Sequence, residues 1–509
     1  MEKKKTALII GAGIAGLSCA YELVTKANNI KPVIIESENA IGGLCRTFNY
    51  NGNKADIGPH RFFSKNIDVL NFWKNILPLQ GKKALDDIIL NRVMDFDCGI
   101  ADPEKEDNVL LKRRRFSRIF YLKKFFDYPI KLNYKTISNL GILKMLHCGF
   151  SYLKACFIKR KEVTLEDFMI NRFGKELYST FFEYYTEKVW GRKPSNIDKS
   201  WGEQRIKGLS LIKAILGKFG KTKETSLVEE YYYPKLGASQ ILEEMAKTII
   251  EKGGEIHLNS EVIKINKKGN KIESLTVKND AGIYDWYGEY IISSMPIKDL
   301  ICNMNDVNER VYNIAKNLPY RDYQLITYRL KDFNLKNNTD WKTINDICPD
   351  SWIYIQDRDV KIGRIYIPKN CSPYLCKDIN DLLISLEYFC TKGDELWEMS
   401  DEEIFKLGVE ELLQIKALKN KDDVLESYRL KIEKAYPAYF DSYKFFSEVK
   451  EFIQSIDNLY CIGRNGQHKY NNMDHSTLSG IVAGDVIIKQ KDKSLLCNVN
   501  TEESYQETK

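Results

Sequence analysis

The chain has 509 residues, more than one ordinary hydrophobic core supports, so we expect two or three domains. Its composition is globular, with 43% hydrophobic and 29% charged residues, and a net charge of +7 suits an anionic ligand without indicating nucleic acid. No apolar run reaches about 18 residues, so no membrane-spanning helix is expected. The 12 cysteines are scattered, and residues 1–5 lead directly into an apolar run. We therefore expect reduced thiols, no signal peptide, no metal site and a cytoplasmic location.

The stretch from Ala7 to Ser18 predicts a nucleotide-binding turn. An apolar strand leads into Gly11, Gly13 and Gly16, which have the spacing G-x-G-x-x-G, and an amphipathic helix follows. The first glycine permits the tight turn, the second lets the backbone approach a pyrophosphate, and the third lets helix and strand pack closely. Ala15 lies in the first helical turn, whose unpaired N–H groups would face the phosphates.

A second apolar run ends at Glu36, followed by Ser37. An acid at this position can bind both hydroxyl groups of an adenosine ribose, so strand, helix and acid together predict dinucleotide binding. The alternative is a glycine-rich turn in an ordinary α/β domain.

The segment 39–48 resembles the second glycine pair of FAD-binding oxidoreductases, which include glutathione reductase, amine oxidases and UDP-galactopyranose mutases. This resemblance favours FAD over NAD. It implies that Gly42, Gly43 and Leu44 approach the FAD chain and that Arg46 lies by the pyrophosphate.

A turn at Gly58-Pro59-His60 follows. Its histidine could lie against a flavin ring; the alternative is a histidine on a surface loop.

From residue 98 to 220 the alternation of strands and helices stops, which predicts an inserted, mostly helical substrate domain. Basic and aromatic residues alternate over 115–126, which suggests a hairpin at a sheet edge. Helical periodicity runs from Ile137 to Ile158, and a capping box at Thr164 opens a further helix through Tyr178. The basic run at 112–115 is interpreted as a solvated face, with anionic lipid as the alternative contact.

The dinucleotide-binding pattern resumes at 221–300, with a helix that reaches Glu251 and a strand around Val262 that is expected beside the adenine. Residues 301–440 predict an antiparallel sheet domain. A strand, a glycine turn and a final helix at 441–490 close the first domain, and the polar tail 491–509 is expected to be disordered. The predicted fold is therefore α/β: a Rossmann-type FAD-binding domain (1–97, 221–300, 441–490) with an inserted helical domain and an antiparallel β-sheet domain.

Several motifs together resemble the UDP-galactopyranose mutases, in particular the longer, eukaryote-like members of that family within the FAD-binding amine-oxidase and protoporphyrinogen-oxidase-like superfamily. The resemblance covers most of the chain. The matching segments are 463–476, the histidine turn 58–60, residues 188–205, 352–354, 370–373, and Tyr436 with Pro437.

This resemblance implies an isomerase that contracts the pyranose ring of a nucleotide-diphosphate sugar to a furanose, as in the formation of galactofuranose for glycan biosynthesis. The reaction would pass through an adduct of the sugar with N5 of reduced FAD, without net redox change. NAD(P)H could be the external reductant.

The resemblance also assigns residues. His60, Arg205 and Arg329 would be catalytic, with the two arginines clamping the diphosphate. Further substrate ligands would be Trp190, Asn370, Tyr436, Tyr470 and Asn472. The flavin end of FAD would be bound by Gly463, Arg464, Asp474, His475 and Ser476.

Three departures from the family pattern leave the sugar and the reaction open: Met473 before Asp474, a shorter loop between Tyr470 and Asn472, and Arg61 after the histidine. A polyprenyl-linked sugar is an alternative substrate, for which residues 115–126 would provide weak peripheral contact with a membrane.

Two rival classes share the fold. One is a redox flavoenzyme of the amine-oxidase, protoporphyrinogen-oxidase or desaturase type, acting on glycans or lipid-linked sugars. The other is a binding protein of the Rab-escort type, against which the intact Glu36 and Arg46 argue. The sequence is compatible with an oligomer.

Overall fold

The computed structural model describes residues 4–96, 99–128, 130, 134–199, 201–202 and 230–500. Its strands, in chain order, are β1 Lys5–Ile10, β2 Ile30–Ile35, β3 Thr47–Tyr50, β4 Asn53–Asp56, β5 Leu110–Arg114, β6 Ser117–Tyr121, β7 Lys124–Asp127, β8 Glu230–Pro234, β9 Glu255–His257, β10 Glu261–Lys268, β11 Lys271–Asn279, β12 Gly282–Trp286, β13 Tyr290–Ser293, β14 Tyr320–Leu330, β15 Trp352–Ile355, β16 Arg364–Tyr366, β17 Leu382–Cys390, β18 Val424–Pro437 and β19 Leu459–Cys461.

The α-helices within the described residues are α1 Ile14–Lys26, α2 Ile67–Ile76, α3 Leu85–Ile89, α4 Tyr134–Leu140, α5 Ile142–Phe157, α6 Leu165–Phe173, α7 Lys175–Phe181, α8 Glu183–Trp190, α9 Ser239–Glu251, α10 Ile297–Cys302, α11 Glu309–Lys316, α12 Glu395–Glu398, α13 Asp401–Gln414, α14 Phe446–Gln454, α15 Gly463–Gly466 and α16 Met473–Lys489. None of these helices is long and apolar enough to cross a bilayer.

A parallel sheet in the order β19-β13-β1-β2-β9 forms the first layer of the fold. Its strands β1 and β2 are mostly apolar and buried because both faces of the sheet are covered, as parallel sheets require. Side chains of α1, α9 and α16 pack on one face, and the antiparallel sheet β10-β11-β12 with α10, α11 and α14 packs on the other. The predicted α/β fold with a parallel sheet is thereby confirmed.

A larger sheet in the order β18-β14-β17-β16-β15-β6-β7 forms the second layer. Its neighbouring strands are antiparallel except β15 and β6, which run parallel. Helix α13 packs on one face of this sheet, and helices α6, α7 and α8 contribute to the core on the other face. The expected hairpin at 115–126 is present as β6 and β7, and it extends this sheet.

The interval 98–220 is less uniformly helical than predicted. Helices occupy it from Tyr134 to Trp190, but β6 and β7 join the large sheet and β5 pairs with β8. The predicted helix through Tyr178 is interrupted at Gly174, which separates α6 from α7.

The interpretation of Lys112 to Arg115 as a solvated face is wrong for the first two residues. Both side chains are buried, because β5 pairs with β8 and carboxylates of β8 and of α3 lie beside them. Lys112 Nζ lies 3.0 Å from Glu230, and Arg113 donates to Asp86 at 3.1 Å.

The start of the polar tail is also ordered, contrary to expectation. Residues Lys493–Asn498 form a 3-10 helix, and Leu496 and Val499 are buried. Lys469 Nζ donates to the carbonyl of Val499 at 3.0 Å. The buried side chains of Leu496 and Val499 pack this segment against the first domain, and residues 501–509 lie outside the described chain.

Candidate functional site

A cavity of about 740 Å³ lies between the parallel sheet and the large antiparallel sheet. One end is lined by the turns that follow β1 and β2, and the other by residues of β14 to β18. Ligands of α/β sheets bind beyond the carboxyl ends of the strands, so this is the expected position for a dinucleotide. The predicted cofactor residues that line the cavity are Gly11, Gly13, Ala15, Glu36, Ser37, Gly43, Leu44, Gly58, His60, Val262, Gly463, Arg464 and Ser476.

The glycine turn has the geometry that a pyrophosphate needs. Gly11 has a φ of +100°, a conformation that L side chains rarely adopt. A Cβ atom on Gly16 would lie 2.0 Å from the carbonyl oxygen of Gly11, so only glycine lets the helix begin so close to the turn. Gly42 N–H donates to the carbonyl of Ala12 at 2.9 Å, which joins the two glycine segments. Backbone therefore lines this part of the cavity.

Glu36 is buried and held in place by backbone donors. One carboxylate oxygen accepts from Ala12 N–H at 2.7 Å and the other from Glu38 N–H at 3.0 Å. Carboxylate oxygens accept more than one hydrogen bond each, so Glu36 retains capacity for ribose hydroxyls. The glycine cradle and this oriented acid fit the adenosine and pyrophosphate of FAD.

Four predicted cofactor residues do not line the cavity. Gly16 lies beneath the turn, where its role is close packing. Arg46 lies 3.8 Å from Glu38 in an ion pair. Asp474 and His475 are in the first turn of α16 between lining residues, with His475 Nδ1 3.3 Å from the Asp474 carboxylate. These three side chains border the site rather than form its wall.

His60 lines the middle of the cavity, as predicted from its turn. Its Nδ1 atom lies 3.4 Å from the carboxylate of Asp56, which is fully buried. Tyr233 donates to the same carboxylate oxygen at 2.5 Å. The imidazole therefore lies beside a buried carboxylate, and its Nδ1 atom has no hydrogen-bond partner among the described residues.

Arg364 lies at the other end of the cavity, and sequence reasoning did not select it. Its Nε atom donates to Glu387 at 2.6 Å and Nη2 donates to the Tyr436 hydroxyl at 2.9 Å. Glu387 is fully buried, and its second oxygen has no hydrogen-bond partner among the described residues. Burial raises the pKa of Glu387 above its ordinary value, against the opposing charge of Arg364.

Two tyrosines and two further arginines line this end. The rings of Tyr436 and Tyr470 stack with centroids 5.2 Å apart, and the Arg464 guanidinium lies 5.3 and 5.0 Å from them. Arg61 lies 5.5 Å from the ring of Trp352. Its buried Nη1 atom has no hydrogen-bond partner in the described part of the chain. Asn472 also lines the cavity, as predicted.

The predicted clamp residue Arg329 does not reach the cavity. It donates to Glu426 at 2.9 Å and to Asp381 at 3.4 Å at the far end of β14. In the same strand, Tyr323 does line the cavity, and a strand rises about 3.4 Å per residue, so six residues separate the two by about 20 Å. The register of the strand therefore excludes Arg329 from this site.

Two more predicted substrate residues are absent from the cavity wall. Asn370 donates to the carbonyl groups of Cys348 and Asp350 and so stabilises a turn. Trp190 is buried in the helical core, 5.8 Å from the ring of Trp201. Arg205, the other predicted clamp, lies outside the described residues.

The two residues that sequence reasoning missed did carry signals. Glu387 is the lone charged residue of β17, whose nine positions are all buried. Arg364 begins β16, six residues before Asn370. A charge in a buried strand indicates a paired or functional group, since an isolated one would be costly.

Comparison with known proteins gives the family. The model of the flavin containing amine oxidoreductases matches residues 14–309, more than half of the chain. The chain is 25% identical over 289 residues to coproporphyrinogen III oxidase of Staphylococcus aureus (strain NCTC 8325 / PS 47), covering 51% of this chain and 54% of that protein. It is 27% identical over 203 residues to dTDP-fucopyranose mutase of Escherichia coli, covering 38% and 44%. The chain thus spans about half the length of the curated relatives it matches.

A solved structure, the crystal structure of reduced UDP-galactopyranose mutase, superposes with a TM-score of 0.75 at 19% identity, covering 99% of this chain and 100% of that one. This likeness shows the fold. The family match implies FAD as the cofactor. The chain belongs to the flavin containing amine oxidoreductase family.

Proposed function

We propose that the protein is an FAD-dependent mutase that rearranges the sugar ring of a nucleotide-diphosphate sugar. The observation that carries this proposal is the convergence of Arg61, Arg364 and Arg464 with two tyrosine hydroxyls at one end of the cavity. Guanidinium groups and phenol hydroxyls are the donors that a diphosphate needs. The similarity to dTDP-fucopyranose mutase and the structural similarity to UDP-galactopyranose mutase also support this proposal.

The first half of the cavity would hold the cofactor. Backbone N–H groups of the Gly11–Ala15 turn would bind the pyrophosphate, and Glu36 would accept from the ribose hydroxyls. Ser476 would border the flavin, and Arg464 would lie between the flavin and the substrate, beside Tyr436 and Tyr470. Reduced FAD would supply the electron-rich centre that the ring rearrangement requires.

The charges at the substrate end suit a dianion. Three guanidinium groups and the one carboxylate of Glu387 leave a formal charge of +3 − 1 = +2. Arg364 has five N–H donors, so it can keep its bond to Glu387 through Nε while its Nη groups bind phosphate. Tyr436, now bonded to Arg364, would donate to the same phosphate oxygens.

The remaining residues would position the sugar and exclude water. The rings of Tyr128, Tyr323, Trp352 and Tyr354 line the cavity and provide an apolar wall. His60, next to the buried Asp56, would lie beside the flavin and limit the poses of the sugar. We also propose that Arg205 binds the diphosphate of the substrate.

A redox flavoenzyme is the second candidate. It is favoured by the match to coproporphyrinogen III oxidase, which extends over half of the chain. The same aromatic wall would suit an apolar ring system. In that case the substrate would gain or lose electrons in every turnover.

The test is incubation of the FAD-loaded protein with a panel of nucleotide sugars, with and without dithionite, and chromatography of the products. The mutase proposal expects conversion of at least one sugar with reduced flavin only, and no consumption of reductant per turnover. NADPH or NADH should replace dithionite if either is the natural reductant. Stoichiometric oxidation or reduction of a substrate would move the protein to the redox class.

A further inference from the structure

Helix α5, Ile142–Phe157, exposes its apolar face. Positions spaced by three, four and seven residues fall on one arc of the helix, and six large apolar side chains occupy that arc. All six are between 52% and 85% exposed. We call this set the α5 stripe: Ile142, Leu143, Leu146, Phe150, Leu153 and Phe157.

The opposite face of α5 is the one that packs on the protein. Cys148 and Ala155 are the buried residues of the helix. Ser151 accepts from the backbone N–H of Glu176, and Lys144 forms an ion pair with the same residue at 2.8 Å. Small and polar side chains thus face the protein and large apolar ones face solvent, the reverse of an ordinary surface helix.

The charges on α5 itself and on the segment that follows it are of one sign. Residues 142–161 contain five basic residues and no Asp or Glu. Lys154 lies beside the stripe, and Lys159, Arg160 and Lys161 follow the helix; all four are exposed. Within the described residues, Lys154 and Lys161 take part in no ion pair. An amphipathic helix with an apolar face and basic flanks is typical of segments that lie in the surface of an anionic bilayer.

The size of the stripe also favours a bilayer over a second copy of the chain. The helix has 16 residues and is therefore about 24 Å long. A strip of that length and about 10 Å width covers about 240 Å², whereas a stable protein interface needs about 800 Å² on each partner. Two copies meeting through this face would also bring their basic flanks together.

We propose that the α5 stripe inserts into the interfacial region of a membrane that contains anionic lipid, and so places the enzyme at the membrane surface. The occupant of the exposed face is the lipid, with headgroup phosphates bound by Lys154 and Lys161. This inference rests on α5 alone and does not depend on which reaction the cavity performs. It replaces the segment 115–126 as the membrane contact, because Ile119, Phe120 and Phe126 are buried in the large sheet.

The test is flotation of the full-length, FAD-loaded protein with vesicles of phosphatidylcholine alone or of phosphatidylcholine with phosphatidylglycerol. Three proteins are compared with wild type. The first carries Leu146→Ser, Phe150→Ser and Leu153→Ser; the second carries Lys154→Glu and Lys161→Glu. The matched control carries Ile283→Ser and Tyr287→Ser, which are equally exposed but lie by β12.

We expect wild type and control to float with the anionic vesicles. Both α5 variants should partition at least about tenfold less, and added salt should weaken wild-type binding. FAD content and melting temperature should stay at wild-type values, because every substituted side chain is exposed. The proposal is overturned if wild type does not float, if the variants float equally well, or if the serine variant converts a wild-type dimer to a monomer in light scattering without lipid.

Discussion

Arg364 is the residue whose replacement tests the substrate site most directly. The simple change to alanine would also leave Glu387 buried without its cation, and breaking a buried ion pair costs about 3–5 kcal/mol. The informative protein is therefore the double variant Arg364→Ala with Glu387→Gln, which removes both charges. A second variant, Arg364→Lys, keeps the charge but loses the bidentate fork.

The expected loss follows from the geometry. In the structure Nη2 of Arg364 donates to the Tyr436 hydroxyl, so this end of the guanidinium reaches the cavity. Charge-assisted hydrogen bonds to phosphate contribute about 1.5–3 kcal/mol, which corresponds to about a tenfold to 150-fold loss of nucleotide affinity. The lysine variant should lie between the double variant and wild type.

The assay is calorimetric titration of UDP and other nucleoside diphosphates into the FAD-loaded proteins, with flavin absorbance as a measure of cofactor content. Arg329→Ala is the matched control, because Arg329 lies in the same sheet but pairs with Glu426 outside the cavity. Its affinity for nucleotides should equal that of wild type. If the double variant retained FAD and still bound every nucleotide as tightly as wild type, Arg364 would have no part in substrate binding.

Three further results are expected. Glu36→Ala should reduce the FAD content of the purified protein through loss of the ribose contacts; stoichiometric FAD in the variant would contradict the assignment. Arg205→Ala should weaken nucleotide binding at least about tenfold with unchanged flavin absorbance, and equal affinity would remove it from the clamp. Burial lowers the pKa of His468 from 6.5 to about 4, so its contribution to stability is present above pH 6.5 and lost as the pH falls through 4. Urea unfolding should show wild type losing up to about 3 kcal/mol over this range, and His468→Gln should have a shallower slope; parallel curves would refute this.

The cofactor end of the site was predictable because its determinants are local in the chain. Gly11, Gly13 and Gly16 act within one turn, and Glu36 ends the next strand. Strand, turn and helix are specified by neighbouring residues, and the parallel pairing of β1 with β2 follows from their connection. The structure brings Gly11, Gly13 and Glu36 to one end of the cavity, with Gly16 packed beneath the turn.

The substrate end could not be predicted in the same way, because it is assembled from strands that are distant in sequence. Arg364 and Glu387 face each other only through the pairing of β16 with β17. The same dependence on register places Tyr323 in the cavity and Arg329 outside it. Nothing local distinguishes an arginine at one end of a strand from an arginine at the other.

The sequence by itself predicted the parallel-sheet domain of this protein and the glycine turn at its cofactor end. Only the tertiary structure decided which side chains are buried and which are exposed to solvent. Lys112 and Arg113 look like surface residues but are buried against carboxylates from other segments, whereas the apolar stripe of α5 looks like a core face but is exposed. Periodicity reveals that a helix has two faces. Which face is buried depends on the elements packed against it, and for α5 these contact the small and polar face.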